Sequence, residues 1–200
     1  MRAAGVILAG GAARRMGGGD KGLLELAPGV RLVDLVVARL GPQVEMLVLN
    51  ANGDPARFAD LGMPVLPDDV PDLPGPLAGV LAGMDWAAAR GLSHVVTAAA
   101  DTPFLPRDLV ARLAAAGGFA LAATPGPDGP DRHPTFGLWP VVLRSDLRRA
   151  LESGVRKIVA WTDAHGAATA IFETVPRDPF FNVNTPDDLA VARRMLETDA

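Results

Sequence analysis

Two segments of the sequence carry residue types and spacings that suit phosphate chemistry. The first has five glycines between Gly10 and Gly19, and it also carries the basic residues Arg15 and Lys21. Glycine lets the backbone approach a ligand closely, and successive amide groups can then form a concave anion-binding site. This segment is predicted to be a triphosphate-binding loop. The alternative is a flexible glycine loop with solvated basic side chains.

Two familiar nucleotide-binding motifs are excluded in this loop. Lys21 is followed by Gly22, whereas the lysine of a P-loop is followed by Ser or Thr. Gly17, Gly19 and Gly22 have the spacing G-x-G-x-x-G, but they begin well after the first predicted strand ends. The tight strand-to-helix turn of a dinucleotide fold is therefore missing.

The second segment centres on Asp101, which directly follows a mostly apolar run at residues 95–100. A carboxylate at the carboxyl end of a parallel strand faces the ligand crevice, and hard oxygen ligands suit Mg²⁺. Taken alone, an aspartate before Thr102 and Pro103 is more often a cap of the turn. Together with the glycine-rich loop, it is predicted to be a magnesium ligand.

The elements that must position these residues alternate between strands and helices. Most of the early strands are near-continuous apolar runs, a pattern that predicts a parallel sheet covered on both faces. The predicted strands are residues 4–8, 46–49, 64–66, 94–99, 119–123, 135–139 and 168–175. The predicted helices are residues 32–40, residues 77–90, a segment from Pro106 to Gly117, and a last helix that begins at Pro186 with Thr185 as its N-cap. This order predicts an α/β fold with one doubly wound sheet.

Length and composition limit the classes of protein to consider. The 200 residues suit a single domain, in which the Pro- and Gly-rich loop at residues 125–133 separates residues 1–124 from residues 125–200. A net charge of -4 gives no reason to expect binding to nucleic acid or an anionic membrane. There is no cysteine and no apolar stretch long enough to span a bilayer. A location in the cytoplasm is expected.

The segment LAGG-x-x-x-R-M-G-G-x-D-K at residues 8–21 is similar to the signature of the molybdenum cofactor guanylyltransferases, a branch of the nucleotidyltransferase superfamily. Further blocks that resemble this family follow in the same order. They are residues 50–52 (NAN), 74–79 (PGPLAG), 101–103 (DTP), 132–135 (RHPT) and 182–186 (NVNTP). The reading LAGG also resembles relatives that use guanine, whereas those that use cytidine typically read LAAG. The resemblance implies a single-domain, three-layer, Rossmann-like nucleotidyltransferase fold with a mostly parallel twisted sheet flanked by helices.

The resemblance also implies an activity. A phosphate oxygen of molybdopterin, in the molybdenum cofactor, would attack the α-phosphate of GTP in line, pyrophosphate would leave, and the guanine dinucleotide cofactor would form. Mg²⁺ would bind at Asp101. Relatives often carry a second aspartate where this chain has Asn184, which leaves the second metal ligand open.

Several positions receive roles from this resemblance. The catalytic residues would be Arg15, Lys21 and Asp101. The nucleotide-binding residues would be Leu8, Ala9, Gly10, Gly11, Lys21, Asn50, Asp68, Gly75, Pro76 and Asp101. Among these, Asn50 is expected to offer guanine both a donor and an acceptor, and Asp68 an acceptor. The acceptor-binding residues would be Arg132, His133, Asn182 and Asn184.

Two other functions remain open from the sequence. One is a related nucleotidyltransferase that uses CTP or a different phosphorylated acceptor. The other is a non-catalytic GTP-binding carrier of the cofactor, against which the presence of Lys21 and Asp101 argues. The resemblance further implies transient contacts with proteins that deliver the cofactor or with the molybdoenzymes that receive it.

Overall fold

Short apolar strands form the centre of the molecule, and the first of them is buried from Ala3 to Ile7. The computed structural model describes residues 1–10, 19–69 and 75–198. The strands within these ranges are β1 (Ala3–Leu8), β2 (Glu25–Ala27), β3 (Val30–Arg31), β4 (Met46–Asn50), β5 (Val65–Leu66), β6 (His94–Ala99), β7 (Ala120–Thr124), β8 (Asp131–Pro140) and β9 (Ala168–Ile171).

Helices connect most of these strands. The α-helices of the described residues are α1 (Leu32–Leu40), α2 (Pro76–Ala88), α3 (Leu109–Ala116), α4 (Arg144–Glu152), α5 (Ile158–Ala164) and α6 (Pro186–Glu197). Short 3₁₀ segments lie at Lys21–Leu23, Gly41–Gln43, Pro55–Leu61 and Val141–Leu143. Within the described ranges, no helix combines the length and the apolar character that crossing a membrane requires.

The main sheet has the strand order β5-β4-β1-β6-β8-β7-β9. Every neighbouring pair is parallel except those that include β8, which runs antiparallel to both β6 and β7. Strands from before and after residue 125 thus belong to one sheet. β2 and β3 form a separate hairpin. The predicted mostly parallel sheet is confirmed, and the reversed strand β8 is an addition to it.

Helices cover both faces of this sheet, which gives the three predicted layers. Side chains alternate along a strand, so Val6 and Ile7 of β1 point to opposite faces. Ile7 belongs to a buried cluster that includes residues of α1 and α3. Val6 belongs to a second cluster, with residues of α2, α4 and α5. Both residues are fully buried.

A smaller cluster connects the two ends of the chain. It joins the β2–β3 hairpin and the start of α1 to the C-terminal helix α6, through Leu26, Leu32, Phe104, Val183 and Ala192. The Arg193 side chain also donates to the backbone carbonyl of Leu26, at 3.1 Å. The C-terminal helix is therefore fixed against an N-terminal hairpin that the sequence analysis does not predict.

Several predicted boundaries are wrong. Helix α3 begins at Leu109 and not at Pro106, because Asp108 has φ -116° and ψ 16°, outside the helical region. Strand β9 ends at Ile171 and does not reach residue 175, since the Ile171 carbonyl accepts from the Arg112 side chain. The loop predicted at residues 125–133 stops earlier, because residues 131–133 pair with β7 as part of β8.

Candidate active site

A cavity of about 360 Å³ opens at the edge of the sheet where β1, β4 and β6 end. Backbone hydrogen bonds hold these ends together: the N–H of Ala9 donates to the carbonyl of Asn50 at 2.8 Å, and that of Ala100 to the carbonyl of Leu8 at 3.0 Å. Ligands of open α/β sheets bind at such carboxyl ends. The cavity is lined by Leu8, Ala9, Gly10, Lys21, Gly22, Asn50, Asn52, Asp68, Gly75, Pro76, Ala99, Ala100, Asp101, Thr135 and Asn182.

This lining contains every predicted nucleotide-binding residue that the structure describes. Gly11 and Arg15, for which phosphate contacts are expected, lie outside the described residues. The roles assigned to them therefore stay predictions.

Lys21 and Asp101 meet at one wall of the cavity. The Nζ atom of Lys21 lies 3.4 Å from Oδ2 of Asp101 and 2.5 Å from Oδ1 of Asn184. Lys21 opens a 3₁₀ turn whose second residue, Gly22, lies on the sheet edge. A Cβ at Gly22 would come within 2.9 Å of the Ala100 Cβ, so this close approach favours glycine. Gly22 therefore helps to bring the ammonium group to the carboxylate.

Asp101 is placed at the end of β6, where little water reaches its carboxylate. Burial raises the pKa of Asp101 above its ordinary value, and the nearby Lys21 ammonium opposes part of that rise. The side chains of Asp101 and Lys21 are only 15% and 18% exposed. A buried charge interacts more strongly with its neighbours than an exposed charge does. A cation or hydrogen-bond donor brought by a ligand would therefore strongly stabilise the charged Asp101 carboxylate.

Asn50, Asn52 and Asp68 form a hydrogen-bonded group on the other side of β1. The Nδ2 atoms of Asn50 and Asn52 donate to the two oxygens of the Asp68 carboxylate, at 2.9 and 2.8 Å. The N–H of Asp68 donates to Oδ1 of Asn52 at 2.8 Å. The carboxylate is therefore fixed in orientation, while its remaining lone pairs can accept from a ligand.

One expectation for Asn50 is not met. Its Nδ2 atom donates to the Leu66 carbonyl at 3.2 Å as well as to Asp68, so both amide hydrogens are engaged within the protein. Asn50 therefore has no free donor for a base. Its side chain is almost fully buried, and it holds Asp68 in place.

The start of helix α2 closes this side of the cavity. Gly75 has φ +144°, a conformation that favours glycine, and Pro76 occupies the first helical position. One turn later, a Cβ at Gly79 would lie only 2.1 Å from Oδ1 of Asn50. The helix can therefore approach the end of β4 only because position 79 has no side chain.

The predicted acceptor residues separate into two groups. Asn182 lines the cavity and Asn184 binds Lys21, and the backbone N–H of Val183 between them donates to the Asp101 carbonyl at 2.9 Å. Arg132 and His133 are not part of the lining. Arg132 forms an ion pair with Asp163.

His133 packs inside the C-terminal half of the sheet. Its ring stacks on Phe180 with 4.4 Å between the centroids, and its Nε2 lies 3.0 Å from Oγ1 of Thr124. Burial lowers the pKa of His133 below its ordinary value. The contacts of this ring are thus with the protein, and its neighbour Thr135 is the residue of this block that lines the cavity.

Asn52, Thr135 and Gly22 are cavity residues to which the sequence analysis assigns no role. Each lies within or beside a recognised block, so its position in the block was the available signal. The pairing of β7 with β8 shifts register between residues 133 and 137, around Pro134, which cannot donate to a ladder. Thr135 lies within this irregular stretch and lines the cavity, and the sequence pattern does not reveal the irregularity.

The described residues hold no group of three or more His, Cys, Asp or Glu side chains that could bind a metal ion. Asp101 is the carboxylate that forms an ion pair with the Lys21 ammonium, and the same ammonium donates to the amide oxygen of Asn184. A metal ion held here would need ligands from phosphates and water, as Mg²⁺ commonly has.

The three-layer fold, the cavity at the strand ends and the paired Lys21 and Asp101 define a nucleotidyltransferase. The chain belongs to the MobA-like NTP transferase domain family, which it matches over residues 5–168. The family predicted from the sequence blocks is confirmed.

Relatives match along nearly the whole chain. A molybdenum cofactor guanylyltransferase from Bradyrhizobium sp. (strain ORS 278) is 55% identical over 199 residues, which cover 96% of this chain and 92% of that protein. One from Cereibacter sphaeroides (strain ATCC 17029 / ATH 2.4.9) is 52% identical over 200 residues and covers 100% of both.

A solved structure shares the fold. The crystal structure of molybdopterin-guanine dinucleotide biosynthesis protein A from Archaeoglobus fulgidus superposes with a TM-score of 0.71 at 23% identity, covering 98% of this chain and 99% of that one. The predicted α/β nucleotidyltransferase fold is confirmed.

Proposed function

We propose that the protein transfers the GMP unit of GTP to the terminal phosphate of molybdopterin in the molybdenum cofactor. The products are the guanine dinucleotide cofactor and pyrophosphate. One observation carries the proposal: Lys21 and Asp101 lie 3.4 Å apart in a cavity that also contains the oriented Asp68 carboxylate. Relatives more than 50% identical along the chain bear the name of this activity.

The reaction needs charge neutralisation and alignment more than a protein nucleophile. An oxygen of the pterin phosphate forms a bond to the α-phosphorus of GTP. The bond from that phosphorus to the oxygen that bridges to the β-phosphate breaks, and pyrophosphate leaves with the electron pair. Lys21 binds the phosphates and stabilises the charge that develops on the leaving group. At ~4 Å and an effective dielectric constant near 20, one charge pair is attractive by about 4 kcal/mol before desolvation.

Mg²⁺ is the proposed cofactor, with Asp101 as its ligand from the protein. The fit rests on position: the Asp101 carboxylate lines the cavity, its side chain is 15% exposed, and a hard oxygen ligand of this kind suits Mg²⁺. The amide oxygens of Asn182 and Asn184 are neutral and can contribute only weakly, and that of Asn184 already accepts from Lys21. When bound, the ion would neutralise phosphate charge.

Asp68 is the proposed reader of the base. Guanine presents N1–H and an exocyclic amino group on one edge, and a carboxylate held in a fixed orientation accepts from both. Cytosine and adenine lack this pair of adjacent donors. Asn50 and Asn52 contribute by holding the carboxylate, since their amide hydrogens point to it.

The acceptor is proposed to approach from the side of Asn182 and Thr135. Both line the cavity. Thr135 belongs to β8, and Asn182 lies in the loop before α6, next to Val183, whose N–H donates to the Asp101 carbonyl. Arg132 and His133 remain proposed acceptor residues from the family resemblance, although their contacts in the structure are with Asp163, Thr124 and Phe180.

A pyrophosphate-release assay tests this function. The purified protein is given Mg²⁺, molybdenum cofactor and GTP, CTP, ATP or UTP in turn. Release that depends on the acceptor and prefers GTP is the expected result. A preference for CTP would indicate the related cytidylyltransferase activity. Tight GTP binding without release, with a loaded acceptor present, would indicate a carrier.

A further inference from the structure

Arg57 lies outside the cavity lining but contacts two segments that border it. It belongs to the 3₁₀ segment Pro55–Leu61. Its Nε atom lies 2.6 Å from Oδ2 of Asp20, the residue that precedes Lys21. Its Nη2 atom donates to the backbone carbonyl of Asn52 at 2.5 Å. One side chain therefore connects the phosphate side of the cavity to the base side.

The guanidinium has a fixed position. Its Nη1 atom donates to the carbonyl of Asp54 at 2.9 Å, and its carbon lies 4.9 Å from the centroid of the fully buried Phe58 ring. Gly53 has φ +86°, and a Cβ there would lie 2.9 Å from Nη1. The side chain is thus enclosed by carbonyls, an aromatic ring and a glycine that leaves room for it.

We propose that Arg57 is a positioning residue that keeps Lys21 and the Asn52–Asp68 pair at the separation that GTP requires. This inference rests on the proposed function, because it assumes that one nucleotide spans both places. Arg57 itself touches neither substrate. It acts through Asp20 on the loop that carries Lys21, and through the Asn52 carbonyl on the amide that holds Asp68.

Arg57 also balances a charge. Asp20 lies next in the chain to a lysine that is proposed to bind phosphates, and its carboxylate would repel a triphosphate if it were left unpaired. The Nε atom of Arg57 and Oδ2 of Asp20 form an ion pair at 2.6 Å, which neutralises this carboxylate. The two side chains are 30% and 21% exposed, so solvent screens this pair only in part.

The positioning effect of Arg57 and its neutralisation of Asp20 can be separated by binding measurements on the full chain. The dissociation constants of GTP and inosine triphosphate are measured by calorimetry. Inosine triphosphate lacks the exocyclic amino group of guanine, so the ratio of the two constants reports how firmly Asp68 is held. The variants are Arg57→Gln, Arg57→Lys, Asp20→Asn and the double variant Asp20→Asn/Arg57→Gln. The control is Arg2→Gln, which removes another arginine ion pair, with Glu45, at the opposite end of β1.

Arg57→Gln is expected to weaken GTP binding about tenfold and to reduce the preference for GTP over inosine triphosphate. The double variant should regain part of the GTP affinity, since the unpaired carboxylate is gone, but not the preference, since the Asn52 contact is still missing. Arg57→Lys should keep most of the affinity for GTP, because the positive charge is kept. It should lose the preference for GTP over inosine triphosphate, because an ammonium cannot contact Asp20 and the Asn52 carbonyl at the same time, as a guanidinium does. Arg2→Gln should change neither value.

Thermal unfolding shows which variants are folded. If Arg57→Gln does not fold, Arg57→Lys and Asp20→Asn still test the two effects separately. The inference would be overturned if folded Arg57→Gln bound both nucleotides with the dissociation constants of the wild type. If only Arg57→Lys folds, the same result in that variant would overturn it. A wild-type chain that does not bind GTP would overturn the proposed function and the inference with it.

Discussion

The Nζ atom of Lys21 and Oδ1 of Asn184 lie 2.5 Å apart, although 163 positions separate the two residues in the chain. Asn184 is held in turn by the start of helix α6. Its backbone N–H donates to the Asp188 carboxylate, which also accepts from the N–H of Thr185. These backbone hydrogen bonds lower the pKa of Asp188, so the cap stays charged at neutral pH. The orientation of the proposed catalytic lysine thus depends on a helix cap near the C-terminus.

Replacement of Asn184 by alanine is expected to lower kcat/KM by about tenfold. The Lys21 side chain loses its shortest contact and samples other rotamers, while its charge is kept. Steady-state kinetics with varied GTP measure the effect. Asp187→Ala is the control, since Asp187 is an exposed residue in the first turn of α6, close to Asn184 in the chain. Equal activity of Asn184→Ala and Asp187→Ala would contradict a positioning role for Asn184.

Asp101→Asn is expected to abolish transfer, by about 10³-fold or more, and yet to raise the melting temperature by a few degrees. Burial raises the pKa of Asp101 in the folded protein. The unfolded chain therefore releases the Asp101 proton at a lower pH than the folded chain does. At pH values above this point the buried, charged carboxylate disfavours folding. The amide removes this cost at neutral pH. Calorimetry at pH 7 checks the stability, and a lower melting temperature would count against the assigned cause.

Gly79→Ala is expected to raise the KM for GTP and to reduce the preference for GTP over inosine triphosphate. Its new Cβ would lie 2.1 Å from Oδ1 of Asn50, so the amide that orients Asp68 must move. Gly83→Ala on the same helix is the control, because its Cβ would meet Val6 at 2.4 Å and disturb only apolar packing. Both variants should be destabilised by about 1–3 kcal/mol. A change of base preference in Gly83→Ala alone would refute the interpretation.

His133 is expected to make the fold less stable as the pH falls below neutrality. Burial lowers the pKa of His133 from the ordinary value of 6.5, against the opposing effect of the nearby Asp178 and Asp131 carboxylates. The unfolded chain therefore binds a proton near pH 6.5 while the folded chain does not, which favours unfolding at lower pH. Urea unfolding from pH 7.5 to 5.5 measures the effect.

In His133→Gln the fall in stability over this range should be smaller than in the wild type. Some loss of stability at lower pH should remain in the variant, because burial also lowers the pKa of His94. The same slope in variant and wild type would show that His133 does not contribute.

The sequence predicts most elements whose signals are local. The apolar runs of β1 and β6 and the stop at Gly41-Pro42 after α1 are recovered within two residues. The direction of β8 could not be predicted, because a run of apolar residues looks the same in a parallel and an antiparallel strand. The β2–β3 hairpin is only five strand residues long, and its cluster with α6 is formed by distant parts of the chain.

The same division applies to the candidate site. Strand ends and recognised blocks predict many of the residues that line the cavity, from Leu8 to Asp101, but not Gly22 or Asn52. They do not reveal which side-chain atoms are already engaged. Asn50 looks like a base-reading residue in the sequence, but the Leu66 carbonyl and the Asp68 carboxylate take both of its amide hydrogens. Hydrogen bonding of this kind depends on tertiary contacts that spacing cannot predict.

The packing of α6 against the N-terminal hairpin has a consequence for the order in which the protein folds during synthesis. A ribosome makes Lys21 and Asp101 well before it makes Asn184 and the helix that holds it. A growing chain can therefore complete most of the sheet while the lysine still lacks its partner. Competence for nucleotide transfer should arise late in synthesis, when residues 182–197 emerge and dock.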